Sequence, residues 1–201
     1  MLVLATSNPG KIAEIESLLQ PFNLPVKSAK ELGFNEEVEE SGRTFEENAA
    51  IKALAIAKAL NLPALADDSG LCVASLNGAP GVLSARFAGQ NANDEKNNQA
   101  LVAAMQGVKN REAYFACCMV CAKPDGGTLI SHGRLNGIIA NAPQGTNGFG
   151  YDPLFILPES GLTLAQMDKA AKNAISHRGR ALRELLAKLP GFISPCQGVI
   201  S

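Results

Sequence analysis

The chain has almost no net charge: 18 Lys and Arg stand against 19 Asp and Glu, for a formal −1 at pH 7 and a pI near 6.1. It therefore lacks the broad basic field that draws proteins onto nucleic acid or an anionic membrane surface, and its partners must be recognised locally. It also lacks any apolar run long enough to cross a bilayer. The start, Met1-Leu2-Val3-Leu4-Ala5, has no basic n-region and runs at once into Thr6-Ser7-Asn8, so it reads as a first strand rather than a signal peptide. The five cysteines are an odd number, and four of them (Cys72, Cys117, Cys118, Cys121) sit in apolar runs. That suits buried free thiols in a reducing compartment, and the expectation is a soluble cytoplasmic protein. Cys118-Met119-Val120-Cys121 has redox spacing, but it lies inside an apolar run without the helix N-terminus and positive charge that activate a thiol. No second cysteine pair completes a zinc set, and His132 and His177 are far apart in sequence.

What is present is enough apolar residue, 46% of 201, for one sizeable core or two small lobes sharing a cleft. Leu2 to Ala5 followed by Ile12, Ile15, Leu18 and Leu19 at helical spacing predicts strand, turn and helix, stopped by Pro21. Val26 to Ala29 predicts a second strand, followed by an acidic loop from Glu36 to Gly42. Thr44 and Glu47 form a capping-box signature for a long helix whose apolar face is Phe45, Ala49, Ala53, Ile56 and Leu60. Ala64 to Ala66 reads as a strand that delivers Asp67 and Asp68 to its end, with a turn at Ser69-Gly70 and a further strand from Leu71 to Leu76. Asn93 to Met105 predicts a capped helix, and Arg111–Lys123 with Thr128–Leu135 a hairpin around Pro124-Asp125-Gly126-Gly127. Pro143 to Asp152 reads as loop, Leu154 to Leu157 as a short strand, and Thr163–Lys172 and Ser176–Leu189 as helices. There is no internal repeat, and the mixture argues for an α/β fold around a mixed sheet.

Three segments carry groups suited to chemistry. Thr6-Ser7-Asn8-Pro9-Gly10-Lys11 places free amides, two hydroxyls, a carboxamide and an ammonium at a helix N-terminus, a setting for phosphate oxygens. It is no Walker A loop, because a single glycine precedes the lysine and Ile12 stands where the metal-binding hydroxyl would be. The same residues also suit an ordinary N-cap. Asp67-Asp68 before Ser69-Gly70 either makes a turn or, with the Glu36–Glu40 loop nearby, holds Mg²⁺ through one or two carboxylates and phosphate oxygens. Gly145 to Asp152 surrounds Phe149 and Tyr151 with flexible backbone, which fits either a base-stacking platform or a turn plugged into the core. Lys172, His177 and Arg178 each have an alternative as solvated helix residues.

Taken together and in order along nearly the whole chain, these motifs resemble the inosine triphosphate pyrophosphatase family. The resemblance rests on Thr6 to Lys11, Glu40-Ser41-Gly42 with Thr44 to Ala49, Ala66 to Leu71, Gly78-Ala79-Pro80-Gly81, Gly145 to Phe155, and Ala174 to Gly179. It implies a single domain over residues 1–201 with an elongated mixed sheet, flanking helices and two lobes around a cleft. It also implies a homodimer and Mg²⁺-dependent hydrolysis of ITP, dITP or XTP to the monophosphate and pyrophosphate. Position by position, it implies that Thr6, Ser7, Asn8, Pro9, Gly10 and Lys11 grip the triphosphate and that Asp68 is proton acceptor and metal ligand. Glu40 would assist the metal, and Lys52 and Ser69 would line the phosphate region. Phe149, Gly150, Tyr151, Asp152, Lys172, His177 and Arg178 would bind the nucleoside. Ser7 and Asn147 depart from the family, where glycine is usual, and the tail from Phe192 to Ser201 has no motif counterpart.

Two other functions remain compatible with these residues. An aspartyl-phosphate phosphohydrolase typically wants Asp-x-Asp, whereas Asp67-Asp68 is contiguous, and it would release phosphate. A non-catalytic nucleotide sensor would use the same loops without turnover. For hydrolysis, water attacking the α-phosphorus is the economical route, with positioning and charge neutralisation from Asp68, Lys11, Lys52 and Mg²⁺.

Overall fold

A computed structural model describes residues 1–22 and 24–193. The tail beyond Ile193, and with it Cys196, lies outside the described residues. The strands are β1 (Leu2–Leu4), β2 (Val26–Ser28), β3 (Ala64–Val73), β4 (Glu112–Ala122), β5 (Thr128–Ile139) and β6 (Phe155–Ile156). The helices are α1 (Pro9–Leu19), α2 (Phe45–Leu60), α3 (Asp94–Ala104), α4 (Lys169–Ile175) and α5 (His177–Ile193). One six-stranded sheet has the order β2-β1-β3-β4-β5-β6. β1 pairs parallel with β2 and β3, and the remaining pairings are antiparallel. The expected mixed α/β fold is present.

Three core clusters organise this sheet into two lobes. In one lobe the sheet is sandwiched. Leu65, Cys117, Met119 and Cys121 face Ile15 and Leu19 of α1 and Leu182, Leu185 and Leu189 of α5. On the opposite face Ala64, Ala66, Cys118, Val120 and Ala122 meet Ala49, Ala53, Ile56 and Ala57 of α2. Alanine on both sides of that contact lets α2 lie close to the strands, and its N-terminus is fixed by the predicted Thr44–Glu47 capping box. In the other lobe Leu71, Val73, Phe115, Leu135 and Ile139 gather with Leu101 of α3 and Phe155. Strands β3, β4 and β5 run through both lobes, so the residues near the middle of β3 lie between the cores.

Three expectations require correction. Asp67 and Asp68 do not end a strand: β3 pairs with β4 without interruption from Ala64↔Ala122 to Val73↔Ala113. The glycine that suggested a turn serves close packing instead, since a Cβ on Gly70 would overlap Ser84 Oγ and the carbonyl oxygen of Gly81. β3 itself ends at Val73, where a 3₁₀ turn at Ala74–Leu76 replaces the predicted strand continuation. The predicted helix Thr163–Lys172 is divided into a 3₁₀ turn at Leu164–Gln166 and α4, because Asp168 takes an extended conformation and caps α4 by accepting from Ala171 N.

The four described cysteines are buried and unpaired. Burial raises the Cys118 and Cys121 thiols to about 12 and raises Cys72 and Cys117 as well, which fits the structural reading of the apolar run.

Gly133 of β5 is the point where α5 lies against the sheet. A Cβ there would overlap the His177 carbonyl oxygen and approach Ala181 N to 2.7 Å. Gly133→Ala is expected to lower unfolding stability by about 1–3 kcal/mol, as overpacking does, with α5 pushed outward. Urea denaturation checks this, and an unchanged midpoint would show that α5 is not held there.

Candidate functional site

β1 stops at Leu4, opposite Leu65, and the Ala5 amide makes the last bond to β3 through the Leu65 carbonyl. From Asp67 to Ser69, β3 therefore runs past its parallel neighbour, while further along the same edge is covered by the Leu71 amide to Ser84 Oγ and the Val73 amide to Ala79 O. A parallel strand ending with a loop and helix at its carboxyl end is where open α/β sheets bind ligands.

The side chains of successive strand residues point to opposite faces. Adjacent Asp67 and Asp68 are thereby separated, contrary to the expectation of two carboxylates sharing one cation. Asp67 points to the α1 and α5 face and is fully buried. Its Oδ2 meets Lys11 Nζ at 3.0 Å and accepts from Arg178 Nε and Nη2 at 3.2 Å each and from Ser69 Oγ at 3.2 Å. Arg178, 2% exposed, also donates through Nη1 to Glu14 Oε2 and through Nη2 to Ser69 Oγ at 2.7 Å. Burial by itself raises the Asp67 carboxyl, but Lys11, Arg178 and Lys52 hold it far below the usual carboxylate range. Burial likewise opposes the Arg178 charge, and Asp67 and Glu14 overcome it. Two carboxylates and two cations make this cluster balanced.

Asp68 points to the α2 face. Its Oδ2 accepts from Asn48 Nδ2 at 3.1 Å, and its Oδ1 from the Ser69 amide at 2.9 Å. Asn48 Oδ1 in turn accepts from the Gly42 amide at 2.8 Å, which ties the acidic loop to the strand. Lys52 Nζ bridges Glu40 Oε1 at 2.9 Å and the Asp67 carbonyl at 2.9 Å. Burial raises the Asp68 carboxyl, Lys52 and Lys11 oppose that, and Glu40 raises it further. Here two carboxylates face one ammonium, so one negative charge is left over.

The phosphate-type loop is built as the sequence suggests. Asn8 caps α1 by accepting from the Lys11 amide at 3.1 Å, Thr6 Oγ1 accepts from the Asn8 amide at 3.3 Å, and Pro9 occupies the first turn. Ser7, Asn8 and Pro9 are exposed. The Phe149 ring lies directly against Gly10, where a Cβ would approach it to 2.9 Å. Neither Ser7 nor Asn147 has positive φ, so neither position needs glycine's backbone freedom. Asn147 uses its side chain instead, donating to the Met167 carbonyl at 3.0 Å.

The solvated alternative for the C-terminal residues is excluded: Lys172, His177 and Arg178 are all buried. Lys172 Nζ meets Asp152 Oδ2 at 2.6 Å and lies 4.7 Å from the Phe149 ring centre. Asp152 Oδ2 also accepts from the Phe149 amide at 3.0 Å, and burial, countered by Lys172, raises its carboxyl. The His177 ring stacks on Phe115 at 4.8 Å and 9°. Burial, assisted by Arg178 and Lys172, lowers it well below 6.5 and keeps it neutral, with a buried Nδ1 that has no partner. Gly150 is held by Asp94 Oδ2 on its amide and Asn98 Nδ2 on its carbonyl. Tyr151 turns away into the core, donating its hydroxyl to the Ser84 carbonyl at 2.8 Å. A groove of about 960 Å³ along α3 contains none of the predicted site residues.

Two participants were missed. Glu14 is a buried carboxylate on α1, directly before Ile15 and one turn before Leu18, and that polar intrusion was the available signal. Asn48 is the same kind of intrusion on α2, four residues before Lys52 on the alanine face.

Fold and site together define an α/β protein whose sheet presents an Asn8-capped helix start and an electron-rich carboxylate pair at a switch point. The Ham1 family model matches residues 2–188, and the chain belongs to that family. It is 48% identical over 192 residues to a dITP/XTP pyrophosphatase of an Exiguobacterium species, covering 96% of this chain and 98% of that one. It is 45% identical over 185 residues to a Bacillus subtilis protein of the same name, covering 91% and 93%. Among solved structures it superimposes on the Ham1 protein of Staphylococcus aureus with TM-score 0.86 and 43% identity, over 95% of this chain and 98% of that one. A HAM1 protein from Coxiella burnetii gives 0.87 and 44%, over 94% and 98%.

Removing Asp67 strands Arg178 and Lys11 in the interior. Asp67→Asn is expected to cost about 3–5 kcal/mol of unfolding free energy at pH 7. The Asp67 carboxyl titrates below its ordinary 3.8 when folded, so its contribution is complete above that value and is lost as pH falls below it. The gap between variant and parent should narrow below about pH 4 in denaturant titrations. A gap independent of pH would show that the charge of Asp67 is not what stabilises.

Proposed function

We propose that the chain hydrolyses ITP, dITP and XTP to the nucleoside monophosphate and pyrophosphate, a Mg²⁺-dependent reaction that clears these nucleotides from the cellular pool. The observation that carries this is the residual negative charge of Asp68 and Glu40 beside the Thr6–Lys11 loop, whose Ser7, Asn8 and Pro9 are exposed. The names of the bacterial relatives support the substrate class.

Hard carboxylate oxygens in excess over their one ammonium fit Mg²⁺, which takes one or two carboxylates and completes its shell with phosphate oxygens and water. Asp68 and Glu40 would hold it, and when bound it would supply neutralisation of phosphate charge. The chain's own groups do the rest. The α1 N-terminus with Thr6, Ser7, Asn8, Pro9 and Gly10 receives phosphate oxygens on amides and hydroxyls. Lys11, Lys52 and Ser69 lie along the same edge of β3. Asp68, whose carboxyl is raised above its ordinary value by burial, accepts the proton of a water directed at the α-phosphorus.

The base lies against Phe149, framed by Asp152 and the backbone of Gly150 and Tyr151, whose ring is turned into the core, with Lys172, His177 and Arg178 behind it. Four of the five guanidinium N–H groups of Arg178 are engaged by Asp67, Glu14 and Ser69, which leaves one for a ligand. A 6-oxo group accepts from such donors, whereas the adenine amino group would leave them unsatisfied, which disfavours ATP. Buried free thiols support a reducing cytoplasmic setting, and no described helix is long and apolar enough to cross a membrane. The family resemblance supports a homodimer, which light scattering measures directly.

Incubation with ITP, Mg²⁺ and ¹⁸O-water is expected to give IMP carrying the label and intact pyrophosphate. Label in pyrophosphate, or release of single phosphates, would refute attack at the α-phosphorus, and absence of turnover would leave a binding module.

Asp68→Asn is expected to retain the fold and nucleotide binding while losing about a hundredfold or more in kcat, as loss of a general base does. Steady-state kinetics beside urea denaturation separate it from Asp67→Asn, whose defect is in stability. Parental turnover would transfer the role to Glu40.

A further inference from the structure

Outside the nucleotide site, the antiparallel register joins residues that the sequence keeps apart. Cys118 of β4 is paired with Asp68 on one side and directly with His132 of β5 on the other. Paired residues project to the same face, so Cys118 and His132 stand side by side on the α2 side of the sheet. The first turn of α2, fixed by its capping box, brings Glu46 over them. His132 Nε2 lies 3.3 Å from Glu46 Oε2, and the carboxylate, imidazole and thiol ligand atoms all fall within 4.8 Å of one another. Among the described residues this is the only group of three or more His, Cys, Asp and Glu so arranged.

We infer that Glu46, Cys118 and His132 form a three-ligand site for a soft or borderline divalent metal of the zinc class. Tetrahedral bonds of about 2.1 Å to N or O and 2.3 Å to S place ligand atoms about 3.4–3.6 Å apart, against 3.3 Å between His132 and Glu46 and no more than 4.8 Å across the set. Sulfur and imidazole donors select zinc-like ions over Mg²⁺, which separates this site chemically from the all-oxygen pair Asp68 and Glu40. The three side chains line a groove of about 600 Å³ that also includes Thr44 and Arg134, which leaves room for a solvent ligand in the fourth position. Arg134, the cation of that groove, is engaged along the strand, with Nε on Asn136 Oδ1 at 2.8 Å and its guanidinium 3.6 Å over the Tyr114 ring.

Binding balances simply. The Cys118 S–H bond breaks, its electron pair forms the S–metal bond, and one proton passes to solvent. Thiolate and carboxylate then neutralise the dication, with His132 neutral.

Co²⁺ titrated into the full chain in excess Mg²⁺ reports the site through thiolate-to-metal charge-transfer absorption. The band is expected to saturate at one Co²⁺ per chain, with one proton released and Zn²⁺ displacing the cobalt. It should vanish in Cys118→Ser. His132→Ala and Glu46→Gln, at exposed positions that leave the core intact, should each weaken binding at least about tenfold. Zn²⁺ should raise the parental thermal midpoint and leave that of His132→Ala unchanged. Absence of the band, its survival in Cys118→Ser, or parental affinity in His132→Ala would overturn the assignment. If Cys118→Ser fails to fold, the two exposed variants decide.

Discussion

The contact on which the rest of the site depends is the buried pairing of Asp67 with Arg178. It joins the middle of β3 to the start of α5 across 111 residues of sequence, and it recruits Lys11 and Glu14 from α1. Moving such charges out of water costs several kcal/mol each, and only the completeness of the set offsets this. A cluster of that kind stabilises little relative to an apolar core of the same volume. It does fix one geometry, because displacing any member leaves an uncompensated interior charge. The start of α1, which carries Lys11, and the start of α5, which carries His177 and Arg178, are thereby referred to the same strand atom.

The period of a β-strand explains why two neighbouring aspartates do different work. Had a turn followed Asp68, both carboxylates would have shared one space and repelled. Uninterrupted pairing with β4 instead sends Asp67 into a balanced cluster and Asp68 into an unbalanced one. The difference shows in the charge count: two against two on the α1 and α5 face, two against one on the α2 face. Folding therefore uses one aspartate, and the other is left with charge to spare for the proposed cation.

Much of the fold could be read from local pattern, for local reasons. The capping box of α2, the Asn93 cap of α3, the glycine hairpin between β4 and β5 and the apolar run of β4 are each decided within a few residues. The errors arose where the deciding contact is distant. Gly70 looked like punctuation because the packing that requires it, from Ser84 and Gly81, lies more than ten residues away. Thr163 to Lys172 has the composition of one helix, and the competing cap at Asp168 divided it. The candidate site residues stand out as motifs, but their burial and pairing do not: nothing local tells that Arg178 is committed to Glu14 and Asp67, or that Cys118 faces His132. Those facts follow from register and topology.

Lys52 connects the two halves of the charge distribution. Its ammonium bonds the carbonyl of Asp67 and the carboxylate of Glu40, so it spans from the strand backbone to the loop that Asn48 anchors through Gly42. A dication arriving at Asp68 and Glu40 would change the local sum from one negative to one positive. The oxygens of a triphosphate reverse that sign again, and Lys11 and the α1 N-terminus stand on the neighbouring edge of β3 to share them. Under the proposed Mg²⁺-dependent reaction, cation and nucleotide would each create the electrostatic deficit that the other fills, and binding of either would raise affinity for its partner by the same factor.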